Sequence, residues 1–186
     1  MADNALTGKT VAFLVANEGV EQVELTEPWR AVKQAGGTPK LIAPEDGEVQ
    51  AFNHLDKGDT FDVDQSVGGA SPDDFDALVL PGGVANPDRL RTDPAAVAFA
   101  KAFATSGKPI AVICHGPWTL VEAGVLKGRT ITSWPSLRTD VRNAGGAWVD
   151  EEVHVDTSGP GPIVSSRKPD DLKAFCQELV EVLAAA

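Results

Sequence analysis

Apolar residues fall along the chain in short unbroken runs separated by longer stretches in which they recur at helical spacing. Thr10 to Ala16 (TVAFLVA), Phe75 to Leu80 (FDALVL) and Pro109 to Ile113 (PIAVI) are such runs, rich in β-branched residues and strand-sized. Strands buried on both faces of a parallel sheet have this character. Between them, Val20 to Ala35 carries apolar residues at Val20, Val23, Trp29 and Val32, is interrupted by Pro28 and is closed by Gly36 and Gly37. This pattern predicts two helical pieces jointed near Thr26. Pro39 to Ala43 predicts a second strand, and Glu48 to Phe52 with Thr60 to Val63 predict a surface hairpin at the sheet's edge. Asp93 and Pro94 mark the N-cap and first position of an Ala-rich helix to Ala104. Further elements are expected at Trp118 to Ala123, Thr130 to Thr132, Leu137 to Asn143, around Val149, Val153 and Ile163, and in an amphipathic helix over Asp170 to Leu183.

The alternation of strands and helices predicts an α/β fold with helices on both faces of a mostly parallel sheet. No repeat or linker divides the 186 residues, so a single domain over 1–186 is expected. Acidic residues outnumber basic ones, 27 to 16, and the net charge of -11 disfavours nucleic acid and anionic membranes as partners. The apolar runs are too short to span a bilayer, and the N-terminal stretch from Met1 to Lys9 has neither a cationic nor an apolar export region. Two cysteines, Cys114 and Cys176, then suit a reducing cytoplasm and no structural disulfide. No P-loop, dinucleotide fingerprint or metal-ligand spacing occurs, so no cofactor and no metal are expected.

Ligands of open α/β sheets bind beyond the carboxyl ends of the strands. Three loops qualify: Asn17 to Glu24, Pro81 to Arg91 and Cys114 to Trp118. The last sets Cys114 between an apolar strand and a helix start, where amide groups and the helix dipole lower a thiol pKa and favour a nucleophile over a buried core cysteine. Cys176 lies on the stripe Leu172, Cys176, Leu179, Leu183 and reads as structural. His115 is a candidate to tune the sulfur, although neighbours at a helix start point about 100° apart. Glu21 is the candidate for a neutral carboxyl that donates to the sulfur, with Glu18, Glu24 and Glu27 read as solvated. The amides of Gly83 and His115 are candidates for an oxyanion hole, a role that a plain turn at Pro81-Gly82-Gly83 competes with. A separate constellation, Cys114 with His154 and Asp156, has the spacing of a His-x-acid pair.

The segments ANEGVEQVEL (16 to 25), LVLPGG (78 to 83), AVICHGP (111 to 117), AGVLKGRTITSWP (123 to 135) and NAGGAWVDEEV (143 to 153) together resemble the PfpI family of the class I glutamine-amidotransferase-like superfamily. The resemblance implies a flavodoxin-like three-layer α/β/α sandwich. It also implies a catalytic Cys114 with His115 beside it and Glu21 as the protonated carboxyl. Asp88 matches an acidic position that reaches the histidine across a subunit interface, where family members often have the longer glutamate. Trp134 stands in the pocket where the family tends to carry tyrosine. Homodimers, or hexamers built from them, are implied as well.

Three functions follow as expectations. A Cys114 thiolate adding to small reactive aldehydes or glycated protein and peptide, in the manner of a glyoxalase III or deglycase, would form a hemithioacetal. The same nucleophile would serve an intracellular cysteine peptidase. A redox-sensing or chaperone-like stress protein would instead oxidise Cys114 without turnover.

Overall fold

The computed structural model describes residues 4–186, so Met1 to Asp3, part of the stretch read for an export signal, lie outside the described residues. In chain order the elements begin with β1 (Thr10–Leu14), β2 (Glu18–Glu21), α1 (Gln22–Gln34), β3 (Thr38–Ala43), β4 (Glu48–Asn53), β5 (Asp56–Asp62), β6 (Gln65–Ser66) and β7 (Ala77–Leu80). They continue with α2 (Ala85–Leu90), α3 (Pro94–Ser106), β8 (Ile110–Ile113), α4 (Pro117–Glu122), β9 (Thr130–Ile131) and α5 (Arg138–Asn143). The last are β10 (Ala147–Trp148), β11 (Val153–Asp156), β12 (Ile163–Ser166) and α6 (Leu172–Ala185).

Seven strands form the central sheet in the order β11-β12-β8-β7-β1-β3-β6. All neighbours pair in parallel except β11, which runs antiparallel to β12 at the edge. The unbroken apolar runs are explained by where alternate side chains go. Val11, Phe13, Val79 and Ile113 pack with α1 and α6 on one face, whereas Ala12, Leu14, Leu80 and Val112 pack with α3 and the α4–α5 region on the other. Successive strand residues point to opposite faces, so a strand between two helical layers has no polar side. The result is the expected three-layer α/β/α arrangement. No helix among the described residues is long and apolar enough to cross a membrane.

Two expectations about local structure are corrected. The Val20 to Ala35 segment is not a jointed pair of helices: it begins as β2 and continues as one 13-residue helix through Pro28. Pro28 lacks the N–H that would bond the Glu24 carbonyl, but it is buried along with Leu25, Ala31 and Val32, and this packing offsets one missing hydrogen bond. The hairpin β4–β5 forms as expected, yet it does not extend the main sheet. It pairs with β2 in a separate three-stranded sheet, order β2-β4-β5, which stands over the carboxyl end of the central strands. The exposed, polar β5 has no apolar face to bury in a sheet covered on both sides.

Because β1, β7 and β8 lie side by side and run parallel, the three loops that follow them open at the same edge. There the chain turns sharply, and there its unusual residues collect.

Candidate active site

The chain leaves β8 at Ile113 and enters α4 at Pro117, with only Cys114, His115 and Gly116 between. Cys114 makes the turn at φ 62°, in the left-handed region that side chains with a Cβ rarely adopt. Its backbone is held on both sides: its N–H donates to Ser166 O at 3.1 Å, and its carbonyl accepts from Trp134 N at 2.9 Å. The neighbouring β12 and the loop after β9 therefore hold the strained conformation in place. Gly116 fits because a Cβ there would lie 2.6 Å from the carbonyl oxygen of Leu80.

The carboxyl at the sulfur belongs to Glu24. Glu21 ends β2 as the N-cap of α1, and its side chain turns outward to accept the His54 N–H at 3.0 Å. Glu24 sits in the first turn of the helix, where side chains lean back toward the N-terminus, and it is 0% exposed. Neither of its oxygens closes a hydrogen bond of good geometry, and the groups facing them are the Cys114 thiol and the amides of Gly82 and Gly83. Gly82 makes the approach possible, since a Cβ there would meet Cys114 Cβ at 2.6 Å and would also strike the Glu24 carboxyl. Burial raises the Glu24 pKa to about 8, with the charge of Glu21 adding to the rise, so Glu24 is chiefly neutral at pH 7.

Cys114 is 6% exposed, and the expected lowering of its pKa is overturned. Burial, the charge that Glu24 carries once ionised and the hydrogen bond to its carboxyl push the thiol above its usual range, while the amides of Gly83 and His115, both reaching the sulfur, pull it down. With only six residues in α4, the helix dipole is too short to outweigh the loss of water around the sulfur. Thiol and carboxyl thus form one buried acid pair that releases its protons reluctantly.

His115 does reach the sulfur, because the left-handed turn at Cys114 removes the helical offset between the two side chains. Its Nδ1 stands 3.2 Å from Sγ, and its Nε2 is 3.5 Å from Ser136 Oγ. Trp134 stacks on the imidazole with centroids 5.7 Å apart, and Trp118 meets it edge-on at 5.3 Å. Burial lowers its pKa to about 4, so the ring is neutral at pH 7 and no strong thiolate–imidazolium pair forms.

A cavity of about 500 Å³ opens over this pair, with Glu21, His54, Leu55, Val84 and Trp134 among its walls. The backbone of Gly83, at φ 81°, closes its floor beside Cys114. His54 and Leu55 come from the tip of the β4–β5 hairpin and were missed in the sequence. Their signal is an apolar residue alone in the polar turn Asn53-His54-Leu55-Asp56. Asp88 lies exposed in the first turn of α2 and touches no functional group of its own chain among the hydrogen bonds and ion pairs of the described residues. The His154 constellation is not assembled: His154 Nδ1 pairs with Glu151 at 2.7 Å, and Asp156 pairs with Arg129 at 2.6 Å. Cys176 is half-buried against the core, and burial raises its pKa to about 12, in keeping with a structural role.

Residues 9–182 match the model of the DJ-1/PfpI family. Deglycase PfpI of Pyrococcus furiosus is 45% identical over 173 residues, which cover 93% of this chain and 98% of that protein. General stress protein 18 of Bacillus subtilis is 42% identical, covering 95% of this chain and 98% of the other. Among solved structures, oxidized Toxoplasma gondii DJ-1 superposes with a TM-score of 0.81 at 25% identity, covering 95% of this chain and 91% of that one. From the sheet order, the turn at Cys114 and these likenesses, the chain belongs to the DJ-1/PfpI family.

Proposed function

We propose that the protein is a cysteine-dependent enzyme acting on reactive carbonyls and their early adducts, of the deglycase or glyoxalase type. The observation that carries this reading is the Cys114 sulfur at the floor of an open cavity, with a neutral carboxyl on one side and a neutral imidazole nitrogen 3.2 Å away on the other. The deglycase name of the Pyrococcus furiosus relative supports it.

With an aldehyde such as methylglyoxal, Sγ adds to the aldehyde carbon, and the thiol proton passes to the new hydroxyl by way of His115 Nδ1. The hemithioacetal keeps all three carbons of methylglyoxal; the proton on the carbon bonded to sulfur moves to the neighbouring carbonyl carbon while the hydroxyl proton moves to that carbonyl's oxygen, which gives a thioester of lactate. Water then releases lactate and restores the thiol. With an adduct on an amine, the carbon–nitrogen bond breaks as the carbon–sulfur bond forms, and the amine leaves with a proton. Glu24, protonated at neutral pH, donates toward sulfur whenever the sulfur carries charge, and the amides of Gly83 and His115 add two fixed donors. Asp88 takes part only across a subunit interface, its carboxylate reaching the imidazole of the neighbouring subunit. A peptidase makes the same demand, a proton for its leaving amine, so the deglycase name of the Pyrococcus furiosus relative, and not the imidazole, favours the carbonyl reading.

The test is methylglyoxal consumption coupled to lactate formation in wild type, Cys114→Ser and Cys176→Ser, each confirmed folded. Activity lost only in Cys114→Ser is the expected result. A wild type without turnover overturns the reading.

A further inference from the structure

The cavity over Cys114 is uneven in charge and in polarity. Among the described residues no lysine or arginine lines it, whereas three glutamates do. Two of the three carry little net charge into the cavity. Glu18 is held in an ion pair by Arg89, whose side chain approaches from α2. Glu24 is closed off from solvent and chiefly neutral. Glu21 differs, since it is half-buried in the wall and its oxygens accept only the backbone N–H of His54. No cation pairs with it among the described residues. Its charge is felt inside the site, where it adds to the rise at Glu24.

The rim supplies the second half of the pattern. The large apolar side chains exposed among the described residues are Leu55 at 82%, Val84 at 59% and Trp134 at 39%, and all three border this one cavity. They come from three separate parts of the chain: the hairpin tip, the start of α2 and the loop after β9. An apolar collar with an aromatic face and one uncompensated carboxylate fits a ligand with an alkyl or aromatic body and a positive group, preferably a flat cation able to stack on indole.

We infer that Glu21 is a specificity-determining carboxylate that selects carbonyl adducts carried on a guanidinium, such as an arginine side chain, over the same adducts on neutral or anionic carriers. This deepens the carbonyl-enzyme reading and rests on it. Addition of methylglyoxal to an arginine side chain leaves the guanidinium charge in place, so the adduct brings to the cavity the electrophilic carbon for Cys114 and the cation for Glu21. The bonds made and broken at Cys114 are those already described, and Glu21 takes no proton and forms no bond.

Two measurements separate the inference from the reading beneath it. In a Cys176→Ser background, Cys114 is modified by methanethiosulfonates bearing either a trimethylammonium or a sulfonate group, with methanesulfinate leaving from each. Their rates are divided by those with a free thiol in solution. The expected cation-to-anion ratio is well above one, falls about fivefold in Glu21→Gln, as one charge acts through a half-solvated wall, and inverts in Glu21→Lys. Glu48→Gln, on the exposed end of β4, is expected to leave the ratio unchanged. The second measurement compares kcat/KM for methylglyoxal adducts of acetylarginine amide and acetylcysteine amide. Glu21→Gln is expected to lower the arginine-to-cysteine ratio about fivefold through KM, and any effect transmitted through Glu24 cancels in that ratio. A modification ratio that does not respond to Glu21→Gln overturns charge selection by Glu21, even if both adducts are turned over. A ratio that responds while neither adduct is turned over upholds charge selection and overturns the carbonyl reading.

Discussion

Glu24 occupies a helical position that its spacing reserves for apolar side chains, in line with the buried Pro28, Ala31 and Ala35. A carboxyl so placed gains stability from staying protonated, which makes the fold sensitive to pH. Its folded pKa, about 8, lies above the 4.5 of an unperturbed glutamate, so the folded state holds more protons than the unfolded state between these values and stability falls as pH rises. His115 acts oppositely: its folded pKa of about 4 lies below 6.5, and its contribution is lost as pH falls through that window. The two oppose each other below pH 6.5, leaving Glu24 alone between about 6.5 and 8. Over that interval the melting temperature of the wild type is expected to decline, by on the order of 1 kcal/mol in stability, and Glu24→Gln is expected to flatten the decline. Thermal melts across buffers check this. The sequence offered a clue to Glu24, a carboxylate on the apolar stripe of α1, but Glu21 also lies in the loop beside the same strands. Only the backbone path from β2 into α1 decided which of the two faces inward.

At the scale of elements, local pattern and packing agree for the strands inside the central sheet. β1, β7 and β8 were readable from their apolar runs because both of their faces are buried, and α3 from Asp93, whose side chain accepts from Ala96 N at 2.8 Å. The pattern misled in α1, whose passage through Pro28 is held by burial against the sheet and α6, and in β4–β5, which attaches to β2 rather than to that sheet. The β9–β11 region shows the same dependence in its energetics. Arg129, just before β9, and Asp156, at the end of β11, are 6% and 5% exposed and meet at 2.6 Å. Arg129 also donates to Gly161 O at 2.6 Å, and a Cβ on Gly159 would strike the guanidinium. Removing one charge leaves the other buried and unpaired, so Arg129→Met is expected to cost about 3–5 kcal/mol in denaturant unfolding. The double variant Arg129→Met, Asp156→Leu is expected to recover much of that loss.

For the whole molecule, the parallel order of β1, β7 and β8 brings loops some thirty and sixty residues apart in sequence to one edge, and the second sheet hangs its hairpin tip over them. Asp88 lies exposed on α2, just beyond the β7 loop that borders the site. If a second copy completes it, Asp88→Ala lowers kcat/KM several-fold in the assembled protein while leaving the monomer's melting temperature unchanged. Activity measured across a dilution series, with the assembly state followed by sedimentation, checks this expectation. The layered fold and the strand-to-helix turn that carries Cys114 and His115 were legible in the sequence. These depend on local rules, since burial on two faces writes an unbroken apolar run, and a sharp strand-to-helix turn requires residues such as Gly116 and Pro117. Tertiary structure alone decided that Glu24 rather than Glu21 meets the sulfur, that burial raises rather than lowers the thiol pKa, and that His54 and Leu55 wall the cavity. Each of these depends on how much water and which side chains from distant segments surround a group, and a linear pattern does not carry that information.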